Sequence, residues 1–250
     1  MMGDEALRKR FCELISRGNS AGYFIFTDFL GLGELSVLKS LLRGGEVAQV
    51  GFFGGCEGCE RVMARFGSPD ELGYDEPFPI KALKISPKSK KYAEALTHRD
   101  YLGSILALGI TRDVIGDIII KDNDAYVFVK DDMSEYISDA LTRIRHTDVI
   151  ITETDAEGIA QGRALRRVRV QAESERADGI VAKVFSLSRE RASGLFVKSL
   201  VFENGTQISG KSTLTVGSTV SVRGYGRFIY LGYETTSRKG KLNIDIDLFS

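Results

Sequence analysis

The chain has 250 residues, with 34 Lys/Arg against 34 Asp/Glu, 43% apolar and 27% charged side chains. That is the make-up of an ordinary globular protein and excludes disordered or fibrous classes. No run approaches the roughly 18–20 apolar residues of a membrane span, and MMGDEALRKRF has acids and bases where a signal peptide has an apolar core. A cytoplasmic protein with no membrane partner is expected. Three cysteines, Cys12 far from the Cys56/Cys59 pair, do not make a secreted disulfide framework and suit a reducing compartment.

The zero net charge hides an asymmetry. Residues 163–250 hold 15 Lys/Arg against 8 Asp/Glu, net +7, which leaves 19 against 26, net −7, for residues 1–162. A basic C-terminal part points to an anionic partner, and the acidic remainder limits non-specific adhesion.

In chain order, the spacing of Leu7, Phe11, Leu14 and Ile15 predicts an amphipathic opening helix, followed by the apolar stretch YFIFTDFL. LGELSVLKSLLRGG repeats Leu35, Leu38, Leu41 and Leu42 at helical spacing until Gly44 and Gly45 stop it, and VAQVGFF is a strand ending in a Gly-rich turn. Pro77 and Pro79 mark a boundary, which gives an N-terminal α/β domain at 1–76. From there PIKALKIS, HRDYLGSILALGI, IGDIIIK, AYVFVK, SEYISDALTRI and DVIITET alternate as β-α-β-β-α-β, with KDND as a turn. This order fits a ferredoxin-like domain at 77–155, the topology of RNA-recognition domains, although topology alone assigns no function.

Residues 156–172 are expected to be a basic linker. The last domain, 173–250, starts with two short helices, ERADGIVAKVF and SRERASGLFVKS. It continues through LVFENGTQI and TLTVGSTVSVRG to a final hairpin, RFIYLGYETT and LNIDIDLF about SRKG. In the closing strand Leu242, Ile244, Ile246 and Leu248 alternate with Asn243, Asp245 and Asp247. The fold class is α+β, with no internal repeat.

Candidate chemistry is mostly excluded. HRDYLGSI resembles a kinase catalytic loop, but Ile105 stands where the metal-binding Asn belongs, and no Gly-rich phosphate loop exists. GGCEGCE carries one CxxC, half of a zinc site, so no metal and no cofactor are expected, and structural thiols in a turn are the simpler reading. Neither of the two histidines lies in a nucleophile motif. Tyr126 and Phe128 share a strand face, as stacking aromatics do in RNA-recognition domains, but the adjoining Lys121-Asp122-Asn123-Asp124 is acidic, and core packing is the reading adopted.

The C-terminal helices stand differently. Arg176 opens the first, Ser188 and Arg189 open the second, and helix N-termini attract anions. Ala192, Leu195 and Phe196 at i, i+3, i+4 anchor the second helix inward, while Arg191 and Lys198 share an outward face. Arg163, Arg166, Arg167 and Arg169 before the helices, and Arg223 and Arg227 after them, enlarge the basic set.

The run RADGIVAKVFSLSRERASGLFVKSLVFENG resembles the S-four RNA-binding module in the register of Arg176, Asp178, Ser188, Arg189, Ala192, Leu195, Val201, Asn204 and Gly205. It departs at Ala177, Phe196, Ser199 (where the module has its turn glycine) and Glu203. With GGCEGCER, FTDFL, HRDYLGSILALGITRDVIGDI and VRGYGRF, the whole chain is similar to the YlmH family of bacterial proteins. The resemblance implies an N-terminal domain, a ferredoxin-like domain and an S-four domain of αα-β form. It implies a non-enzymatic, monomeric RNA-binding protein without cofactor. Its expected partners are structured rRNA, with tRNA, on the large ribosomal subunit, in quality control of stalled peptidyl-tRNA complexes. The expected RNA-binding residues are Arg176, Ser188, Arg189, Arg191, Lys198, Asn204, Arg223 and Arg227, of which the resemblance implies that Arg176 and Arg189 contact the RNA backbone. The rivals are an RNA-modifying enzyme of pseudouridine-synthase type, using Asp100, and a cell-division scaffold. Asp100 discriminates: a catalytic residue needs a basic cleft, a structural one caps its helix.

Overall fold

The computed structural model describes residues 2–43, 49–89, 91, 93–155, 159, 165–237 and 240–249. Two compact units result, residues 1–161 and 162–250, in a mixed α+β architecture built on antiparallel sheets.

The first unit opens with α1 (Met2–Ser20), whose Phe11 and Ile15 are buried, followed by β1 (Ile25–Phe26) and α2 (Leu32–Arg43). The Glu34 carboxylate accepts the Gly31 amide at 2.8 Å and so satisfies one of the free N–H groups at the start of α2. The expected stop at Gly44 and Gly45 lies outside the described residues. β2 (Val50–Phe53) and β3 (Met63–Phe66) complete a small sheet in the order β1-β3-β2, on which α1 and α2 pack. A short α3 (Pro69–Leu72) has Pro at its first position and ends where Gly73 turns left-handed at φ 76°.

A five-stranded sheet follows, with β4 (Ile80–Pro87), β5 (Ile115–Lys121), β6 (Asp124–Lys130), β7 (Arg143–Ile144) and β8 (Thr147–Thr154) in the order β5-β6-β4-β8-β7. α4 (His98–Leu106) links β4 to β5, and α5 (Asp131–Ala140) links β6 to β7. The KDND turn closes tightly: Lys121 pairs with Asp124, and Asp122 takes φ 57°, the positive value such hairpins need. Leu83, Ile85, Val127, Val129, Ile105 and Ile137 form the core between this sheet and its two helices.

The opposite face of that sheet is covered as well. Phe128 and Ala82, with Ile80, Ile119 and Tyr126 at the margin, pack against Phe29, Cys56 and Met63 of the first segment. A sheet buried on both faces needs apolar residues at successive positions, which explains the unbroken run Tyr126-Val127-Phe128-Val129. The two segments on either side of Pro77 therefore share one unit and one of its apolar clusters.

Polar contacts fix that packing. Asp117, nearly fully buried in β5, accepts the Glu60 amide at 2.7 Å and the Arg61 amide at 3.2 Å. The Arg61 guanidinium donates to the carbonyls of Ile115, Phe29 and Arg112 at 2.8–3.1 Å. Glycines allow the close approach: a Cβ on Gly55, at φ 101°, would meet the Phe128 ring at 2.1 Å, and one on Gly116 would meet Phe29 at 2.7 Å.

The second unit holds β9 (Leu165–Ala172), α6 (Ala177–Val184), α7 (Arg189–Val197), β10 (Val201–Glu203), β11 (Thr206–Gln207), β12 (Thr219–Val222), β13 (Gly226–Thr236) and β14 (Leu242–Phe249). The strands form one sheet in the order β11-β10-β12-β13-β14-β9, with α6 and α7 on one face. Here the expected linker is corrected, since residues 165–172 pair along their length with β14 as an edge strand.

Asp117→Ala would leave two buried amides without acceptors and should lower the stability of the full chain to urea by about 3 kcal/mol. Gly55→Ala, strained and overpacked, should cost more than about 2 kcal/mol. Loss under about 0.5 kcal/mol in both would refute the packing described.

Candidate nucleic-acid interface

In the second unit Ile180, Val181, Ala192, Leu195 and Phe196 of the helices meet Val201, Val220, Val222, Phe228, Tyr230, Ile244 and Ile246 of the sheet. Ala192, Leu195 and Phe196 are all buried, as their spacing predicts, so α7 turns its polar positions outward.

Ser188 caps α7, its Oγ accepting the Arg191 amide at 3.2 Å. Arg189 projects from the first turn, 68% exposed, and meets the equally exposed Glu173 at 3.5 Å. Arg191 donates to the Tyr225 hydroxyl at 3.0 Å and lies 5.8 Å from that ring. Tyr225 in turn packs on Phe185 of the α6 end, so the β12–β13 turn holds Arg191 in place. Lys198 is exposed at the end of α7.

Arg176 precedes α6 and forms a bidentate pair with Asp178, at 2.6 and 3.2 Å. Its guanidinium holds the Asp178 carboxyl below the usual carboxylate range. The expectation of an open, anion-attracting α6 terminus is corrected: the Ala177 and Asp178 amides donate to the Ser212 and Gly210 carbonyls, and the Gly179 amide to Asp178. The loop at 210–212 folds over that end and uses its donors.

Asn204 and Gly205 form the expected turn, at φ 47° and 79°. The Asn204 side chain accepts the Thr219 amide at 2.9 Å, a bond that ties the turn to β12. Glu203 is similarly engaged, accepting the Thr215 amide at 2.7 Å. Ser199, where the S-four pattern has glycine, takes the left-handed conformation at φ 56°, and Gln207 donates to its hydroxyl at 2.8 Å.

Arg223 stacks over Phe202 at 4.6 Å, and Arg227 over Phe249 at 5.1 Å. Phe202 pairs with Ser221, and Ser221 with Arg227, so these residues share a face; Val201, Val222 and Phe228 point the other way, into the helix-covered core. The expected residues are thus divided. Arg176, Ser188, Arg189, Arg191 and Lys198 belong to the helix layer, while Arg227 and its neighbour Arg223 belong to the opposite side of the sheet.

The basic run in β9 is also corrected. Arg167 pairs with Asp247 at 2.5 and 3.2 Å, and Arg169 with Asp245 at 2.7 Å twice. The alternating acids of β14 face the alternating arginines of β9 and neutralise them. Arg163 lies outside the described residues. The sequence reading missed two cations, Lys183 and Lys241, which line a cleft of about 230 Å³ together with Arg189 and Glu173. Lys183 was legible as the basic residue in the last turn of the first helix; Lys241 arrives beside it only through the β9–β14 pairing.

Elsewhere, Asp100 accepts the Thr97 amide at 2.8 Å and the Thr97 hydroxyl at 2.7 Å, a capping box that begins α4. These bonds hold its carboxyl below the ordinary range. Its nearby cation, Arg145 at 3.6 Å, is shared with Glu94 at 3.8 Å. Asp100 is therefore a helix cap. Phe128 is fully buried, and Tyr126 packs at the margin of the same core with Lys84 5.9 Å from its ring. The Cys56 and Cys59 thiols lie 2.9 Å apart, and burial pushes the Cys59 thiol up. Among the described residues no group of three or more His, Cys, Asp or Glu could hold a metal ion, and no helix is long and apolar enough to cross a membrane.

Comparison with known proteins adds three findings. Residues 74–158 match the family model described as "Putative RNA-binding domain in YlmH". The chain is 24% identical over 230 residues to Ribosome-associated protein quality control protein P2 of Bacillus subtilis (strain 168), covering 88% of this chain and 86% of that protein. Its fold is similar to that of the cell division protein ylmH from Streptococcus pneumoniae, with a TM-score of 0.51 and 20% identity over 63% of this chain and 94% of the other.

Ser199→Gly should relieve the left-handed strain and raise stability by about 1 kcal/mol, read as a higher Tm. An unchanged or lower Tm would show that the Gln207 bond outweighs the strain.

Proposed function

Because the chain belongs to the YlmH family, we propose that it is a non-enzymatic, monomeric RNA-binding protein. In this reading it acts on large ribosomal subunits that carry stalled peptidyl-tRNA, docking on structured rRNA and on tRNA. The name of the Bacillus subtilis relative supports the quality-control setting. We read residues 77–155 as a ferredoxin-like domain on the strength of their strand order, and the last unit as an S-four domain enlarged by β9.

The observation that carries the proposal is the cationic helix side of the +7 unit: Arg189 and Lys183 with Lys241 around one cleft, and Arg191 and Lys198 on α7, with the half-exposed Arg176, paired with Asp178, at the start of α6. Phosphate contacts of this kind supply affinity and fix register. Residues 74–158 match an RNA-binding model, yet their central aromatics are covered, and Arg143 and Arg145 are paired with Asp148 and with Glu94 and Asp100. The principal phosphate contacts are therefore assigned to the second unit. The engagement of Asp100 in helix capping supports the non-enzymatic reading over the modifying-enzyme one, and the division reading is supported by the name of the Streptococcus pneumoniae protein.

Arg176→Ala combined with Arg189→Ala should keep the fold with a lowered Tm, because both arginines are substantially exposed but Asp178 loses its bidentate partner. It should leave the large-subunit fraction of a sucrose gradient, and the slope of log K against log salt should fall by about 1.5 for two lost phosphate contacts. Unchanged co-sedimentation with an unchanged slope would reject the assignment.

A further inference from the structure

We propose that the first unit carries a docking groove for a lysine- and arginine-rich peptide segment of a partner protein. The groove has a volume of about 540 Å³ and runs between the end of β2 and the central strands β4 and β6. It lies where the N-terminal and middle segments of one unit meet, the kind of seam at which ligand sites form.

Its floor is apolar, made by Phe128 and Ala82, both buried. Phe78, between Pro77 and Pro79, forms a wall, and Phe53 forms the lip, its ring 5.7 Å from that of Phe78 and 41% exposed. Four carboxylates line the groove, those of Glu76, Asp131, Glu153 and Asp155, against the ammonium of Lys81 in the lining and, behind Phe78, the Arg65 guanidinium, which lies 5.3 Å from that ring and is paired with Asp75. Lys81 is taken by Glu153 at 2.5 Å. The other three carboxylates have no ion-pair partner among the described residues.

This combination selects its occupant. Three carboxylates without an ion-pair partner among the described residues disfavour phosphate, so an RNA strand is the poorer occupant, although the groove lies largely within the stretch that matches an RNA-binding model. No three of these groups converge to hold a metal ion. A Lys or Arg side chain satisfies both halves, its methylenes lying on the half-buried Phe78 ring above the closed floor and its head reaching the rim carboxylates, with the exposed Phe53 ring available as a cation–π partner. The unit's net negative charge would steer such a segment toward the groove.

The test is fluorescence anisotropy of the full chain with a short labelled peptide of alternating Arg and Leu, with its Glu-for-Arg counterpart as control. Binding of the basic peptide alone is expected, weakened roughly tenfold by Glu76→Gln with Asp155→Asn, and again by Phe53→Ala. Phe53 is partly exposed and Glu76 and Asp155 lie at the rim, so the fold, checked by thermal melting, should be unaffected. Affinity for a structured RNA should be unchanged in these variants, which separates this groove from the helix layer of the second unit. Absence of peptide binding, equal binding by all variants, or crosslinking of RNA at Phe53 would each overturn the proposal.

Discussion

A single buried carboxylate organises the first unit. Asp117 lies within β5 and accepts two amides from the turn that carries the CxxC pair, and the Arg61 side chain of that turn reaches three carbonyls of the same neighbourhood. A second guanidinium, Arg112, donates to the Ile115 and Gly116 carbonyls, and burial together with the like charge of Arg61 pushes it down to about 10. Burying these charges is costly unless each is hydrogen-bonded, and the bonds of Asp117 and Arg61 run between segments far apart in sequence. The clamp therefore specifies one packing of the N-terminal segment on the sheet.

That packing has a functional consequence. In an open sheet Phe128 would be available for base stacking; with Gly55 against its ring it is core. The motifs GGCEGCER and GDI, which carry much of the family resemblance, are the two halves of this clamp, so their role here is structural. With the sheet face closed and the groove beside it acidic, we assign the phosphate contacts of the proposed function to the second unit. There the charge is sorted again: β9 and β14 neutralise each other along their shared edge, while the helix layer keeps exposed cations next to a built cleft.

What the sequence revealed was local. The α7 stripe of Ala192, Leu195 and Phe196, the Ser188 cap, and the KDND and Asn-Gly turns depend on neighbours within a few positions, and each is found where the spacing predicts it. The missed features depend on partners far apart in the chain. Arg167 meets an acid 80 positions away and Arg169 one 76 away, so a run that scans as a basic linker folds as a neutralised edge strand. The Asp117 bonds span 56 and 57 positions. The core reading of Tyr126 and Phe128 agrees with the structure, and the unbroken apolar run at Tyr126–Val129 gives its reason, a strand buried on both sides. The occupied α6 terminus could not be foreseen, because it depends on the path of the loop at 210–212.

The most direct test of the central claim is a residue-level map of protein–RNA crosslinks, obtained by ultraviolet irradiation of the chain bound to large ribosomal subunits followed by mass spectrometry. The structure predicts crosslinked residues on α6, α7 and the β12–β13 turn, around Arg189, Arg191 and Tyr225. Crosslinks concentrated instead on Tyr126 and Phe128 would mean that the closed sheet opens to RNA, and would contradict the account.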